Sequence, residues 1–228
     1  MGKGIFITGT DTGVGKTRVT VVLMEELKRL GYQVAGMKPV ASGATVKNGI
    51  LRNEDAELIL QSCSRPTDYE LINPYVFEPA VSPHFAARQA GQIIDLDKVE
   101  CFYQQLLSEN DIVVIEGVGG WSVPLSEDIT MVDLVRKLGL PVILVVGLRL
   151  GCLNHASLSA KAINTDGFSL VGWVSNQLDE SYLLPNETIE TLKSSLNSPY
   201  LANLSFSMDS DSCDEFDCLN MSLISSSL

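Results

Sequence analysis

The chain has 228 residues, 45% of them hydrophobic, and a formal net charge of -12. A chain of this length and apolar content can bury one large core, and its negative charge disfavours binding to nucleic acids and to anionic membranes. Its five scattered cysteines and short apolar runs are typical of neither a disulfide framework, a zinc site nor a membrane span, so we expect a single cytoplasmic domain over residues 1–228.

Short apolar runs alternate with amphipathic segments along the chain. The predicted strands are Gly4–Thr8, Val34–Met37, Ile112–Ile115, Val142–Val146 and Leu170–Val174. The predicted helices lie near Lys16–Leu30, Asn53–Ser62, Asp97–Ser108, Met131–Leu138, Leu153–Asn164 and Glu187–Ser195. This alternation predicts an α/β fold, a parallel sheet with helices on both faces, in which ligands bind beyond the carboxyl ends of the strands.

A glycine-rich segment, Gly9-Thr-Asp-Thr-Gly-Val-Gly-Lys-Thr17, follows the first predicted strand and leads into the first predicted helix. In that context the backbone amides and the helix N-terminus face the phosphates of a nucleotide. Five residues rather than four separate Gly9 from Gly15, so this is a variant of the usual phosphate loop. A simple glycine turn would explain the glycines but not the Gly-Lys-Thr at the helix start. The residues that we assign to nucleotide binding here are Gly13, Val14, Gly15, Lys16 and Thr17.

Charged residues stand near the ends of the following predicted elements. Lys38 follows the second strand and is placed at the same sheet edge as Lys16, although a lysine in such a position is more often a surface residue. Glu116 ends the third predicted strand, where it is either the metal-linked acid of a nucleotide hydrolase or a solvated strand end. Asp55 starts a predicted helix, whose dipole stabilises a carboxylate with or without a metal.

Asn176 and Gln177 follow the fifth predicted strand. The run Asn176-Gln-Leu-Asp179 is similar to the Asn-Lys-x-Asp motif with which GTPases read guanine, but Gln177 replaces the lysine. The run indicates either base recognition or an ordinary strand-to-turn asparagine. Farther along, the acidic and serine-rich composition from about residue 207 predicts a loosely ordered segment.

Taken together, these segments resemble the dethiobiotin synthetase family. The resemblance runs from the N-terminus to about Asn176 and includes the unusual spacing of the phosphate loop. The segments that carry it are Gly9–Thr17, Gly36–Gly43, Leu51–Asp55, Asn73–Tyr75, Ser82–His84, Glu116–Trp121, Pro141–Gly147, Leu150–His155 and Gly172–Asn176.

The resemblance implies a P-loop homodimer that joins CO₂ to 7,8-diaminopelargonic acid with ATP and Mg²⁺, and that releases dethiobiotin, ADP and phosphate. In that chemistry an amine forms a carbamate, the γ-phosphoryl group of ATP activates it, and the second amine closes the ureido ring. Lys16 and Lys38 are the implied catalytic cations, which would neutralise the charge of the carbamate and the phosphates. The implied Mg²⁺ ligands are Thr17, Asp55 and Glu116. The implied substrate contacts are Thr12, Lys38, Ser42 and, from the other subunit, Gly151, Cys152 and Leu153.

The resemblance also implies contacts with the rest of the nucleotide. The residues concerned are Gly117, Val118, Gly119, Asn176, Gln177, Ser205, Phe206 and Ser207. Family members usually carry Gly-x-Ile/Leu-Pro where this chain has Ala202-Asn-Leu-Ser205, so the base preference stays open. The alternative function is a P-loop nucleotide switch. A partitioning-type ATPase would carry its signature lysine at the position of Asp11, and a GTPase-like module is favoured only by Asn176 and Asp179.

Overall fold

The structure, a computed structural model, describes residues 2–206 and contains ten strands in that range. These are β1 (Lys3–Gly9), β2 (Val34–Met37), β3 (Val40–Ser42), β4 (Thr45–Lys47), β5 (Ile50–Arg52), β6 (Tyr75–Phe77), β7 (Ile112–Gly120), β8 (Val142–Leu148), β9 (Leu170–Gln177) and β10 (Tyr200–Leu204). The helices are α1 (Lys16–Arg29), α2 (Glu54–Gln61), α3 (Tyr69–Ile72), α4 (Pro83–Gln89), α5 (Leu96–Glu109), α6 (Met131–Leu138), α7 (Cys152–Thr165) and α8 (Pro185–Ser195).

A sheet of six parallel strands, in the order β10-β9-β8-β1-β7-β2, forms the centre of the protein. The strands nearest its middle are apolar because both of their faces are covered by helices, and every residue of β8 is buried. The connection from β1 through α1 to β2 runs toward one edge, whereas the connections that contain α6, α7 and α8 run toward the other. Because such crossovers are right-handed, α1 lies on one face of the sheet and α6, α7 and α8 lie on the opposite face.

The predicted fold class and all the predicted strands and helices are confirmed, and four of the strands are longer than predicted, β7 and β9 by the most. β7 continues through Glu116 to Gly120, so Glu116 lies within a strand and not at its end. β9 likewise continues to Gln177 and includes Asn176. The reason is backbone pairing with a neighbouring strand, since Glu116 pairs with Ile7 and Gln177 pairs with Leu148. Ladder hydrogen bonds extend a strand past the point where its side chains cease to be apolar.

The elements that the sequence pattern did not predict are short or lie at the edge of the fold. β10 adds a sixth strand beside β9. β3 and β6 form a separate parallel pair, and β4 and β5 form an antiparallel hairpin between Ser42 and the start of α2. The helices α3 and α4 have four and seven residues. Within residues 2–206, no helix combines the length and the apolarity needed to cross a bilayer.

Candidate active site

The phosphate loop turns sharply between β1 and α1. Gly13 and Gly15 have φ angles of 72° and 90°, in the left-handed region that favours glycine. Gly15 also has no space for a side chain, because a Cβ atom there would lie 2.0 Å from Nδ2 of Asn176. The close contact between Gly15 and the end of β9 therefore requires glycine, and the helix starts at Lys16 with the predicted geometry of a phosphate loop.

Lys16 is a buried cation at the base of this loop. Its side chain is only 7% exposed, and Nζ donates a hydrogen bond to the backbone oxygen of Asp11 at 2.9 Å. Burial lowers the pKa of Lys16 to about 8, and the nearby ammonium of Lys38 acts in the same direction against the attraction of Glu116 and Asp55. A bound polyanion would stabilise the charged form of this lysine.

Lys38, directly after β2, joins two carboxylates at the same sheet edge. Its Nζ lies 2.5 Å from Oδ2 of Asp55 and 2.6 Å from Oε1 of Glu116, and Lys38 is 4% exposed. Burial opposes the charge, but the attraction of Glu116 and Asp55 outweighs it and raises the pKa of Lys38. The reading of Lys38 as a surface lysine is therefore wrong. The pKa of Asp55 is lowered because Lys38 and the Thr17 hydroxyl outweigh the effect of its own burial.

The oxygen atoms around Lys38 fit a hard metal ion. The Thr17 hydroxyl donates to Oε1 of Glu116 at 3.0 Å, and Asp55 stands in the first turn of α2. Glu116 is 1% exposed, and its Oε2 atom is buried without a hydrogen-bond partner among residues 2–206. A buried, unpartnered carboxylate oxygen next to a hydroxyl and a second carboxylate suits Mg²⁺, which is usually bound by one or two carboxylates together with substrate phosphates. The site has only two carboxylates, and no cluster of three or more His, Cys, Asp or Glu side chains suited to a metal occurs in the described part of the chain.

A cleft of about 680 Å³ opens above these groups. The sequence-predicted residues that line it are Thr12, Gly13, Gly15, Lys16, Thr17, Lys38, Ser42, Asp55, Glu116, Val118 and Gly119. The lining residues that we did not assign are Ala80, Val81, Ser82, Pro83 and Val123. Ser82 and Pro83 start α4, and the Ser-Pro pair is itself a helix-start signal that could have identified this wall of the cleft.

Two predicted contact residues are packed into the protein rather than into this cleft. The side chain of Val14 is fully buried, while its carbonyl oxygen accepts a hydrogen bond from Nδ2 of Asn176 at 3.0 Å. Gly117 lies against the core, where an added Cβ would be 2.8 Å from the ring of Phe6. Both residues support neighbours that line the cleft.

Asn176 belongs to a second cluster, which ties the ends of β9 and β10 to α1. Nη1 of Arg18 donates to Oδ1 of Asn176 at 3.0 Å and to the backbone oxygen of Ser205 at 2.7 Å. Gln177 and Phe206 lie beside these residues in the chain and are partly exposed. Ser207 and the acidic segment after it lie outside the described residues. Sequence reasoning missed Arg18, since nothing in the phosphate-loop pattern singles out that position.

The predicted segment from Gly151 to Leu153 opens α7, with Gly151 at the N-cap in a left-handed conformation. Within the described residues this segment does not line the cleft of its own chain. Leu150 is 97% exposed and Leu153 is also exposed, so the loop presents apolar groups to the outside. Arg149, a further residue that we did not predict, forms an ion pair with Asp11 of the phosphate loop.

The comparisons with known proteins agree with this geometry. A family model described as an AAA domain matches residues 3–212. The ATP-dependent dethiobiotin synthetase BioD of Xylella fastidiosa (strain 9a5c) is 48% identical over 203 residues, which cover 89% of each chain. The protein of the same name from Nitrosospira multiformis is 43% identical over 224 residues, or 98% of this chain and 97% of that one.

Solved structures with low sequence identity share the fold. The septum site-determining protein MinD of Pyrococcus horikoshii, complexed with Mg-ADP, has a TM-score of 0.54 and 17% identity, with 90% of this chain and 82% of that chain covered. The signal recognition particle 54 kDa protein of Aeropyrum pernix, in complex with GDP, has a TM-score of 0.55 and 15% identity, covering 94% of this chain and 43% of that one. The α/β P-loop fold is thus established independently of the sequence motifs.

Proposed function

Since the chain belongs to the family of ATP-dependent dethiobiotin synthetases, we propose that it is a biotin-pathway ligase that makes dethiobiotin from 7,8-diaminopelargonic acid, CO₂ and ATP. The products are dethiobiotin, ADP and phosphate. The observation that carries the proposal is the position of Lys38, buried beside the phosphate loop and paired with two carboxylates at the cleft. A site for a carbamate and a triphosphate has to hold much negative charge, and this arrangement supplies the compensating cations.

The position of each residue in the cleft indicates its role. The phosphate-loop amides and Lys16 bind the phosphates, and Lys38 faces the atoms between which the phosphoryl group moves. Thr12 and Ser42, on the cleft wall, hydrogen-bond the diamine or its carbamate. Thr17, Asp55 and Glu116 would hold Mg²⁺, which when bound supplies positive charge to the reacting phosphate oxygens. The reaction needs no nucleophile from the protein, and none of these residues is proposed as one.

Lys38 then changes partners during the reaction cycle. In the structure its ammonium is held by Asp55 and Glu116, the two carboxylates of the proposed metal site. A divalent cation bound by the same carboxylates would repel the ammonium and leave it available to the carbamate. The lysine therefore keeps the buried Glu116 and the partly exposed Asp55 paired until the metal and the nucleotide bind.

We also propose that the protein is a cytoplasmic homodimer and that the start of α7 completes the site of the partner subunit. The helix N-terminus formed by Gly151, Cys152 and Leu153 suits a substrate carboxylate, although the Cys152 amide donates to the Arg149 carbonyl at 3.0 Å within the chain. The exposed side chains of Leu150 and Leu153 support an apolar contact at this end of α7. Each subunit would thus contribute to two active sites. The proposed domain comprises residues 1–228.

The direct test is dethiobiotin formation from the diamine, bicarbonate, Mg²⁺ and ATP, followed by mass spectrometry. We expect one ADP for each dethiobiotin and negligible ADP release without the diamine. A nucleotide switch would instead hydrolyse ATP or GTP at the same rate with and without the diamine. That result, without dethiobiotin, would refute the proposal in favour of the switch.

The shared site is tested by mixing two inactive variants, Lys16→Gln and Leu153→Asp, under conditions in which subunit exchange is demonstrated. Half of the dimers then pair one subunit of each kind, and each such dimer has one site with both parts intact. About a quarter of the wild-type activity should return on these statistics. The control is Leu158→Asp, an exposed residue farther along α7. Exchange without any recovery would show that each subunit works alone.

A further inference from the structure

Arg18 occupies a position in α1 that has no part in the phosphate chemistry described above. It follows Thr17 directly in the helix, where successive side chains point about 100° apart. Thr17 therefore faces Glu116, while Arg18 faces the ends of β9 and β10. The helix that carries the phosphate-binding residues is thus also joined, through Arg18, to the end of β9 and to the segment after β10.

One nitrogen atom of the Arg18 guanidinium makes two hydrogen bonds. Nη1 donates to Oδ1 of Asn176 at 3.0 Å and to the backbone oxygen of Ser205 at 2.7 Å. Asn176 lies in β9 and Ser205 directly follows β10, so this nitrogen fixes the distance between the end of β9 and the segment after β10. It also fixes the distance of both from the phosphate loop.

The carboxamide of Asn176 is held in one orientation by a hydrogen-bond donor on one side and an acceptor on the other. Its Oδ1 accepts from the Arg18 guanidinium, and its Nδ2 donates to the carbonyl oxygen of Val14 at 3.0 Å. A flipped carboxamide would place oxygen against oxygen at Val14 and hydrogen against hydrogen at Arg18. Asn176 is 3% exposed, so water cannot compensate for such a flip. One donor hydrogen and one acceptor lone pair then remain for a ligand.

We propose that Arg18 is a positioning residue that sets the nucleotide-base selectivity of the enzyme by fixing Asn176 and the segment at Ser205. This inference rests on the proposed function, since it is the resemblance to the dethiobiotin synthetase family that implies nucleotide contacts for those two residues, beyond the phosphate loop. A base is chosen by the direction of the donors and acceptors around it, because an unpaired polar group costs more than a pair gains. Arg18 determines that direction without contacting the base itself.

The phosphate end is independent of Arg18 in the structure. The contacts of Lys16, Thr17 and Lys38 are with Asp11, Asp55 and Glu116, whereas Arg18 donates to Asn176 and to Ser205. Loss of Arg18 should therefore weaken selection among bases while leaving the affinity for the phosphate chain unchanged. A loss of base selection with unchanged affinity for the phosphate chain would show that Arg18 positions the base end. A general disturbance of the phosphate loop would instead weaken both.

The experiment compares magnesium-loaded ADP, GDP, CDP and tripolyphosphate as ligands in titration calorimetry. Arg18→Met should weaken binding of the preferred nucleoside diphosphate about tenfold, as expected for a lost charged hydrogen bond, and tripolyphosphate affinity should change less than about twofold. The affinity ratio between the preferred and the next base should fall severalfold. Arg18→Lys should restore most of that ratio, because one ammonium nitrogen can serve both acceptors.

Arg29→Met is the matched control, since Arg29 lies at the other end of α1 and pairs with Glu26. An unchanged base ratio in Arg18→Met, or an equal loss of tripolyphosphate and nucleotide affinity, would overturn the inference. If the methionine variant fails to fold, Arg18→Lys and Arg18→Gln are compared instead, and equal base ratios in these two would overturn it. A wild-type protein that binds nucleotides but forms no dethiobiotin would contradict the proposed function and not the role of Arg18.

Discussion

The two ends of the proposed nucleotide site are built in opposite ways. At the phosphate end, Lys16, Lys38 and Glu116 are charged and almost fully buried, and one oxygen of Glu116 has no partner within the described residues. At the base end, Asn176 is as deeply buried but neutral, and both of its polar atoms are hydrogen-bonded within the chain. The phosphate end thus keeps an unpartnered oxygen, whereas each polar atom of Asn176 already has one partner within the chain.

This difference has energetic consequences. Buried charges lose hydration worth several kcal/mol per ion, and only good partners compensate for that loss. The buried charges at the phosphate end therefore lower the stability of the fold, but they are already positioned to bind a triphosphate. The base end differs, because its buried polar groups are hydrogen-bonded within the chain. The hydroxyl of Ser175, next to Asn176, contacts Tyr200, Ala202 and Asn203 of β10. Substitutions at the phosphate end should mainly reduce turnover, and those at the base end should mainly reduce stability and nucleotide affinity.

The largest effect is expected for Lys38→Gln. Dethiobiotin formation at saturating ATP and diamine should fall about 100- to 1,000-fold, because the cation that faces the transferred phosphoryl group is lost. Affinity for ADP, measured by calorimetry, should change less than about threefold, since the loop amides and Lys16 remain. A single substitution would then reduce turnover while leaving nucleotide affinity nearly unchanged.

A second variant separates the catalytic effect of Lys38 from its effect on folding. Lys38→Gln leaves Glu116 buried without its cation, which destabilises the fold, whereas the double variant Lys38→Gln/Glu116→Gln removes both charges. The double variant should melt at a higher temperature than the single one and remain inactive. Lys47→Gln, which changes an exposed partner of Glu57, is the control. Near wild-type turnover in Lys38→Gln would remove Lys38 from the reaction.

Glu116→Gln should have the next largest effect, through the metal. Turnover at limiting Mg²⁺ should fall about 10- to 100-fold, and excess Mg²⁺ should recover part of it, because one anionic ligand is lost and the others remain. Manganese binding in the presence of ADP, followed by electron paramagnetic resonance, gives a readout that does not depend on turnover. Glu57→Gln is the surface control. Wild-type manganese affinity in Glu116→Gln would exclude Glu116 as a ligand.

The residues of the phosphate end were largely predictable from the sequence, whereas at the base end the sequence indicated Asn176 and Ser205 but not the Arg18 contacts that join them. Gly13, Lys16 and Thr17 lie within one run of five residues, and their spacing is set by the turn that a phosphate requires. Lys38 and Glu116 follow from the rule that parallel strands end at one edge of the sheet. The exact ends of β7 and β9 were not predictable, because pairing with β1 and β8 continues through polar residues and glycines.

Contacts between residues far apart in the chain account for what the sequence missed. Arg18 and Ser205 are separated by 187 positions, and Arg149 and Asp11 by 138, so no local pattern relates them. β10 was missed because its five residues include Asn203 within a short run, which weakens the apolar pattern of a strand. Only the assembled sheet brings β10 beside β9 and places Ser205 within reach of α1.

The smallest effect on turnover is expected for Asn176→Ala, at the base end. Removal of this carboxamide takes the side-chain donor from the buried Val14 carbonyl and one of its acceptors from the Arg18 guanidinium, which keeps the Ser205 carbonyl, so the free energy of unfolding should fall by about 2 kcal/mol. Affinity for the preferred nucleotide should fall about tenfold, the equivalent of one lost polar contact. Turnover at saturating ATP should stay within about twofold of wild type, since the charged groups at the phosphate end are untouched. Chemical denaturation, calorimetry and saturation kinetics measure the three quantities, with Glu180→Ala, at an exposed position in the turn after β9, as the control. A hundredfold loss of turnover at saturating ATP would mean that the two ends are not separate, whereas a loss of stability with unchanged nucleotide affinity would make Asn176 a structural residue alone.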